Sequence, residues 1–176
     1  MSAHIKIKDA SLNEANELSS LCRKAYTENF SDHWQEGALD RYLNKVFTLE
    51  KIKNELKDEN IKYYVGLIKD EPAGFMKIKL NSSLENLPTI KGLEIEKLYI
   101  LPTYHRFGLG KALLTQAIKI AYSFQNNLIW LDVIDQNTKA INFYKSMGFT
   151  YFASKHFDFP GFKNEFKNMW IMIKFQ

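Results

Sequence analysis

The stretch EIEKLYILPTYHRFGLGK, Glu94 to Lys111, gathers the residue types best suited to chemistry. It reads as a buried strand, Ile95 to Leu101, stopped by Pro102, then a short loop with Gly108 and Gly110, then the start of an amphipathic helix. The first N–H groups of a helix have no intrahelical partner and the helix dipole adds positive potential, so such a junction can cradle an anion. Glycine lets the main chain come close to a ligand. Neither GxxxxGK[ST] nor GxGxxG is present, so on spacing alone an ordinary helix entry accounts for the two glycines equally well. Upstream, Glu94 and Glu96 alternate onto one face of the strand together with Leu98 and Ile100. A carboxylate there can exchange protons with a ligand or simply face water.

These residues need a frame to hold them, and the rest of the chain supplies one. Ile5 and Ile7 alternate with lysines as a first strand. Ser11 and Glu14 have capping-box spacing ahead of a helix carrying Leu12, Ala15, Leu18, Leu21, Cys22 and Ala25. An irregular segment, YTENFSDHWQEG, leads to a helix over Leu39 to Val46 and a third helix capped by Thr48. YYVGLI and GFMKIKL form a hairpin whose turn contains Pro72, and Asn81 to Gly92 reads as a polar connection. After the glycine loop come a long apolar-faced helix, the strand Leu128 to Ile134, and a short helix capped by Asn137 and ended by Gly148. Two strands, Phe149 to Ala153 and Met169 to Phe175, flank the aromatic segment HFDFPGFKNEF. The order β-α-α-α-β-β-β-α-β-α-β-β implies an α/β class, a mixed sheet with helices on both faces, in one domain spanning 1–176.

Composition narrows the function classes. The 176 residues, 45% hydrophobic and 25% charged, have the profile of a globular domain with a full core. The net charge of +4 is spread among acidic residues rather than gathered into a basic patch with aromatics, so no nucleic-acid partner is expected. Cys22 is the single cysteine, so no internal disulfide forms, and it reads as a small buried hydrophobe. No signal peptide and no membrane-length apolar run is present, so a cytoplasmic protein without a membrane partner is expected, and no metal-ligand cluster stands out. A homodimer stays open.

HRFGLG, His105 to Gly110, fits the [QR]-x-x-G-x-[GA] pattern that opens a helix in the GCN5-related N-acetyltransferases, with His105 where Gln or Arg is usual. Asn137, Ala140, Phe143, Tyr144, Gly148 and Phe149 fit the later pattern N-x-x-A-x-x-F-Y followed by GF. With a strand before each motif and both in order, Gly92 to Phe149 resembles this superfamily. More loosely, KAYTENFSDHW, LEIEKLYI and the terminal HxF segment are similar to the PaiA-type bacterial polyamine acetyltransferases.

The resemblance implies transfer of an acetyl group from acetyl-CoA to a primary amine of a small molecule, a polyamine such as spermidine before others. A protein N-terminus is the alternative acceptor, and a silent acyl-CoA-binding regulatory module the alternative of another class. It implies that the main chain of Leu98, Tyr99 and Ile100 lies along the pantetheine arm. Arg106, Phe107, Gly108, Leu109, Gly110 and Lys111 then surround the pyrophosphate, and Asn137 and Asn142 reach the cofactor. Tyr144 is the expected acid for the leaving thiolate and Glu96 the expected base. An amine of pKa about 10.4 arrives protonated while a thiol of about 8.5 leaves readily, so base assistance matters more than acid assistance. Tyr26, Glu28, Asp32, Trp34 and His156 are the expected acceptor-site residues, acids and aromatics that suit a cationic amine or else anchor a solvated loop.

Overall fold

A computed structural model describes residues 4–125 and 127–175. Seven strands form one sheet in the order β1-β2-β3-β4-β5-β7-β6. These are β1 (Ile5–Asp9), β2 (Ile61–Ile68), β3 (Glu71–Leu84), β4 (Leu87–Ile100), β5 (Leu128–Ile134), β6 (Thr150–His156) and β7 (Asn168–Phe175). Only the β4–β5 pair is parallel. Helices α1 (Ala15–Phe30), α2 (Ala38–Val46) and α3 (Leu49–Glu55) precede β2, α4 (Leu109–Ser123) joins β4 to β5, and α5 (Thr138–Ser146) follows β5. The element order is the one expected.

Local chemistry sets the boundaries. The Ser11–Glu14 capping box is formed, with the Ser11 N–H and hydroxyl both donating to Glu14 Oε2 at 3.1 and 2.8 Å. It caps a short 3-10 turn that leads into α1. The Thr48 hydroxyl accepts the Lys51 N–H at 3.2 Å and so starts α3. α4 packs its apolar stripe on the sheet, burying Leu109, Leu113, Leu114, Ala117 and Ala121 almost completely. A leucine removed from water in this way is worth roughly 1.5–3 kcal/mol. One core lies between the sheet and α4 and α5, and a second between the opposite sheet face and α1 to α3. Cys22 is fully buried in the second core and burial raises its thiol pKa, as for an inert apolar residue.

Two strand expectations are corrected. The β2–β3 turn is Lys69–Asp70, both left-handed with φ of 52° and 66°, and Pro72 lies inside β3 opposite Leu67, beside a register break that tolerates its missing N–H. Asn81 to Gly92 is not a loop: β3 and β4 continue as a long hairpin in which Ser82 pairs with Gly92 and Leu84 with Leu87. Leu84, Leu87 and Ile90 pack with Trp130 and Ile171, an apolar patch hidden in the sequence by the polar residues around it.

A third correction bears on the site. Ile78 pairs with Ile95 but Lys77 with Lys97, so Glu96 is an extra residue, a β-bulge in β4. The bulge reverses the alternation. Leu93, Ile95, Leu98 and Ile100 all belong to the α4 side, whereas Tyr99 packs on the α1 to α3 side and the Lys97 ammonium lies over the Phe47 ring there. Glu96 therefore does not share a face with Leu98 and Ile100; it turns toward α3, where its lysine partner Lys77 also binds Glu55.

Candidate active site

β4 and β5 are pressed together at one end and part at the other. A side chain at Gly92 would meet the Leu128 carbonyl oxygen at 2.5 Å, and the parallel pairing runs only from Leu93–Ile129 to Ile95–Leu131. Beyond it β4 continues to Ile100 against β3 alone, leaving its other edge open. Leu101 N–H donates to Ala73 of β3 at 2.9 Å, so alternation points the Tyr99 main chain toward β3 and the main chain of Leu98 and Ile100 into the gap. The gap opens into a cavity of about 1270 Å³, lined by β4, the 104–111 loop, α5, the end of α1 and the β6–β7 connection. That volume exceeds the usual range for a single drug-sized ligand.

The glycine loop closes one end. Gly108, with φ of 85°, caps α4 without any side-chain bond, and Arg106 is also left-handed with φ of 71°. The first intrahelical bond is Ala112 N–H to Gly108 at 3.0 Å, so the N–H groups of Leu109, Gly110 and Lys111 precede the helical ladder. A Cβ at Gly110 would meet its nearest neighbours, Phe143 and Ile100, at 3.8 and 3.9 Å, ordinary van der Waals contact. Arg106 and Lys111 line the cavity, and Lys139 of α5 adds a third cation. Phe107 is 48% exposed and does not line it. His105 Nε2 lies 3.0 Å from the Ile100 carbonyl, which also accepts the Asn29 amide at 2.9 Å. That imidazole ties the loop back to the end of β4.

α5 forms the wall facing β4. Asn137 Oδ1 accepts the Ala140 N–H at 3.1 Å as the helix cap and the residue also lines the cavity. Tyr144 lines it too, packed beside Phe143 and Phe149 at ring separations of 5.2 and 5.9 Å. Burial raises the Tyr144 pKa, so its hydroxyl keeps its proton at neutral pH. Asn142 is exposed and lies outside the cavity lining, because it falls on the opposite face of the helix from Phe143 and Tyr144.

Glu96 stands at the bulge in a cage of lysines. Its Oε2 is 2.9 Å from Lys77 Nζ and 2.8 Å from Lys79 Nζ, and its Oε1 is 2.9 Å from Lys97 Nζ. Lys77 is anchored in turn by Glu55 at 2.8 Å, whose other oxygen accepts the Tyr63 hydroxyl at 2.5 Å. Burial alone would raise the Glu96 pKa, but the ammonium groups of Lys97, Lys77 and Lys79 overcome it and hold the carboxyl far below its usual range. Glu94 has the opposite fate: burial raises its pKa, and Lys79 at 3.8 Å compensates only in part.

The other arm of the cavity is aromatic. Tyr26 lines it, 5% exposed, with its ring 5.6 Å from Tyr99. Trp34 is buried behind that wall against Tyr42 and Phe162. Glu28, Asp32 and His156 do not reach the cavity: Glu28 is exposed beside Lys24 at 4.0 Å, the exposed Asp32 gives its carbonyl to Lys163 at 2.7 Å, and the exposed His156 ring nitrogen sits 3.4 Å from Asn168 Oδ1. The 31–35 turn and the 161–163 segment are laced together by Gln35 N–H to Gly161 at 2.8 Å and Lys163 N–H to His33 at 2.9 Å. Residues not singled out in the sequence complete the lining, among them Asn29, Phe30, His33, Lys97, Asp132, Lys155, Phe162 and Phe166. Density of rings in HFDFPGFKNEF was the available signal for the phenylalanines; nothing local marks Lys97 or Asp132.

Among the described residues no cluster of side chains suited to a metal ion occurs, and no helix is long and apolar enough to cross a membrane. The uncapped start of α4, the free β4 edge and the nearby cations fit a phosphorylated coenzyme with a long arm. The chain is 26% identical over 153 residues to an uncharacterised N-acetyltransferase in the pepI 3′ region of Lactobacillus delbrueckii subsp. lactis, covering 87% of this chain and 88% of that one. It is 27% identical over 149 residues to an N-alpha-acetyltransferase of Sulfurisphaera tokodaii, covering 82% and 79%. Its fold is similar to that of the PaiA N-acetyltransferase from Thermoplasma acidophilum, solved with coenzyme A, at a TM-score of 0.76, 22% identity and coverage of 98% and 99%. The sequence profile of the Acetyltransferase (GNAT) family matches residues 19–149, and the chain belongs to that family, as an acetyl-CoA-dependent N-acetyltransferase.

Proposed function

We propose that this enzyme moves the acetyl group of acetyl-CoA to a primary amine of a small molecule by direct attack in a ternary complex. The observation that carries the reading is the opening between β4 and β5, with the unpartnered start of α4 at one end and Tyr144 on its wall. The coenzyme supplies an acyl carbon made electrophilic by its thioester. The N–H groups of Leu98 and Ile100 are the donors available to a carbonyl oxygen in the gap, where negative charge grows as the amine attacks. Arg106 to Lys111 and Lys139 hold the phosphates, and Asn137 offers its amide N–H groups while its oxygen stays in the cap. A carbon–nitrogen bond forms, the carbon–sulfur bond breaks, and Tyr144 donates its proton to the departing sulfur.

The amine must lose a proton. Glu96, fixed ionised by its lysines, accepts that proton poorly by itself; its role is to hold a water through which the proton leaves. Among small amines, the likeness to the PaiA N-acetyltransferase makes spermidine the first acceptor to assay. A peptide N-terminus is the second reading, favoured by the likeness to the Sulfurisphaera N-alpha-acetyltransferase. A thiol-release assay with acetyl-CoA over polyamines, aromatic amines, amino acids and peptides tests the proposal. Amine-dependent release is expected; coenzyme binding without release by any amine would leave an acyl-CoA-binding module instead.

A further inference from the structure

We infer that the acceptor is a primary amine bearing one flat apolar group and no second cationic centre, an arylalkylamine in chemical class. The inference rests on the acetyl-transfer reading and narrows its substrate. An unbroken arc of rings borders the acceptor arm of the cavity. It begins at Tyr99 on β4 and passes to Phe30 at 5.1 Å, His33 at 5.4 Å and Phe166 at 4.0 Å. From there it reaches Phe162 at 6.5 Å and ends at Phe157, 5.0 Å further on. Centroid separations of this size are those of interacting rings, and an arc of them presents faces and edges to a further planar group. Burial depresses the His33 pKa, so this ring joins the arc uncharged at neutral pH.

The carboxylates in the same cavity each already face a lysine. Glu96 is paired with Lys77, Lys79 and Lys97, Glu94 faces Lys79 at 3.8 Å, and Asp132 is paired with Lys155. A polycation needs a succession of unneutralised carboxylates, and Glu28 and Asp32, which could have offered them, lie off the cavity. Glu96 Oε2 and Asp132 Oδ1 have no hydrogen-bond partner among the described residues, but Glu96 Oε2 lies between the Lys77 and Lys79 ammonium groups, which leaves Asp132 Oδ1 as a place for one N–H donor. One amine for chemistry and one ring for the arc is the ligand these surfaces complement.

Steady-state kinetics with 2-phenylethylamine and spermidine at saturating acetyl-CoA test this. The arylalkylamine should have the higher kcat/KM by about tenfold or more, the scale of one buried ring. Acetylation of spermidine with equal or higher kcat/KM would overturn the inference and leave the transfer reading intact; failure of both amines would overturn the inference, and the transfer reading would fall only if the wider panel of amines and peptides also gave no thiol release. Phe166→Ala should raise KM for 2-phenylethylamine on the order of tenfold with the Kd for coenzyme A and the melting temperature unchanged. An unaltered KM would remove the arc from acceptor binding.

Discussion

The two arms of the cavity are built from different kinds of group. The arm of β4 and α4 presents main-chain groups: the turned-out peptides of Leu98 and Ile100, two left-handed positions at Arg106 and Gly108, and the first N–H groups of a helix. The acceptor arm presents side chains, rings in contact and lysine–carboxylate pairs. Main-chain recognition needs only that backbone geometry be held, so the residue identities there can drift. Side-chain recognition is rewritten by single substitutions, and a new amine specificity requires nothing from the other arm.

The variants below would break or sharpen that contrast. Tyr144→Phe should lower kcat by a factor of about 10²–10³, typical of losing a general acid, with coenzyme affinity unchanged by calorimetry. An unaltered rate would make the tyrosine a packing residue. Gly110→Asp places a carboxylate where a Cβ fits without a clash, so the fold should persist while coenzyme affinity drops roughly a hundredfold, from charge repulsion at a helix start. Equal loss of melting temperature and affinity would show that the cradle is merely structural.

Glu96→Gln should reduce kcat/KM on the order of tenfold and also change the pH dependence of stability. The folded pKa of Glu96 is depressed, so its contribution is present above the unfolded value near 4.3 and is lost as pH falls through the folded value. Urea titrations between about pH 5 and pH 2 should therefore fall less steeply in Glu96→Gln than in the parent; parallel curves would contradict the lysine cage. Smallest of all, Phe107→Ser alters an exposed ring off the cavity and should leave coenzyme affinity within about twofold, as for other surface changes.

Much of the frame was legible because periodicity and caps are local. The Ser11–Glu14 box, Thr48, Asn137 and the left-handed Gly148 each mark a helix boundary through bonds or dihedrals within a few residues. The two motifs are likewise short segments, the loop before α4 and the helix α5, and both line the cavity. What stayed hidden depends on register. A single inserted residue at Glu96 reverses which face each β4 side chain takes, and no periodicity announces a bulge. Lys97, which nothing local marks, thereby becomes a buried cation over Phe47. Glu28 and Asp32 lie off the cavity for a similar reason: the helical phase at the end of α1 aims Tyr26, Asn29 and Phe30 inward and leaves Glu28 in water, and the 31–33 turn that follows turns His33 inward and Asp32 outward.

The Ile100 carbonyl joins the two arms mechanically. It takes one hydrogen bond from Asn29, near the end of α1 and one residue from the aromatic arc, and faces His105 at the base of the glycine loop. The glycine loop and the end of α1 thus meet at one carbonyl oxygen, beside the packing of α1 on the 102–104 turn. The glycine loop and the ring-bearing wall are therefore tethered to the same strand end, so a substitution at Asn29 or His105 loosens an anchor that both share.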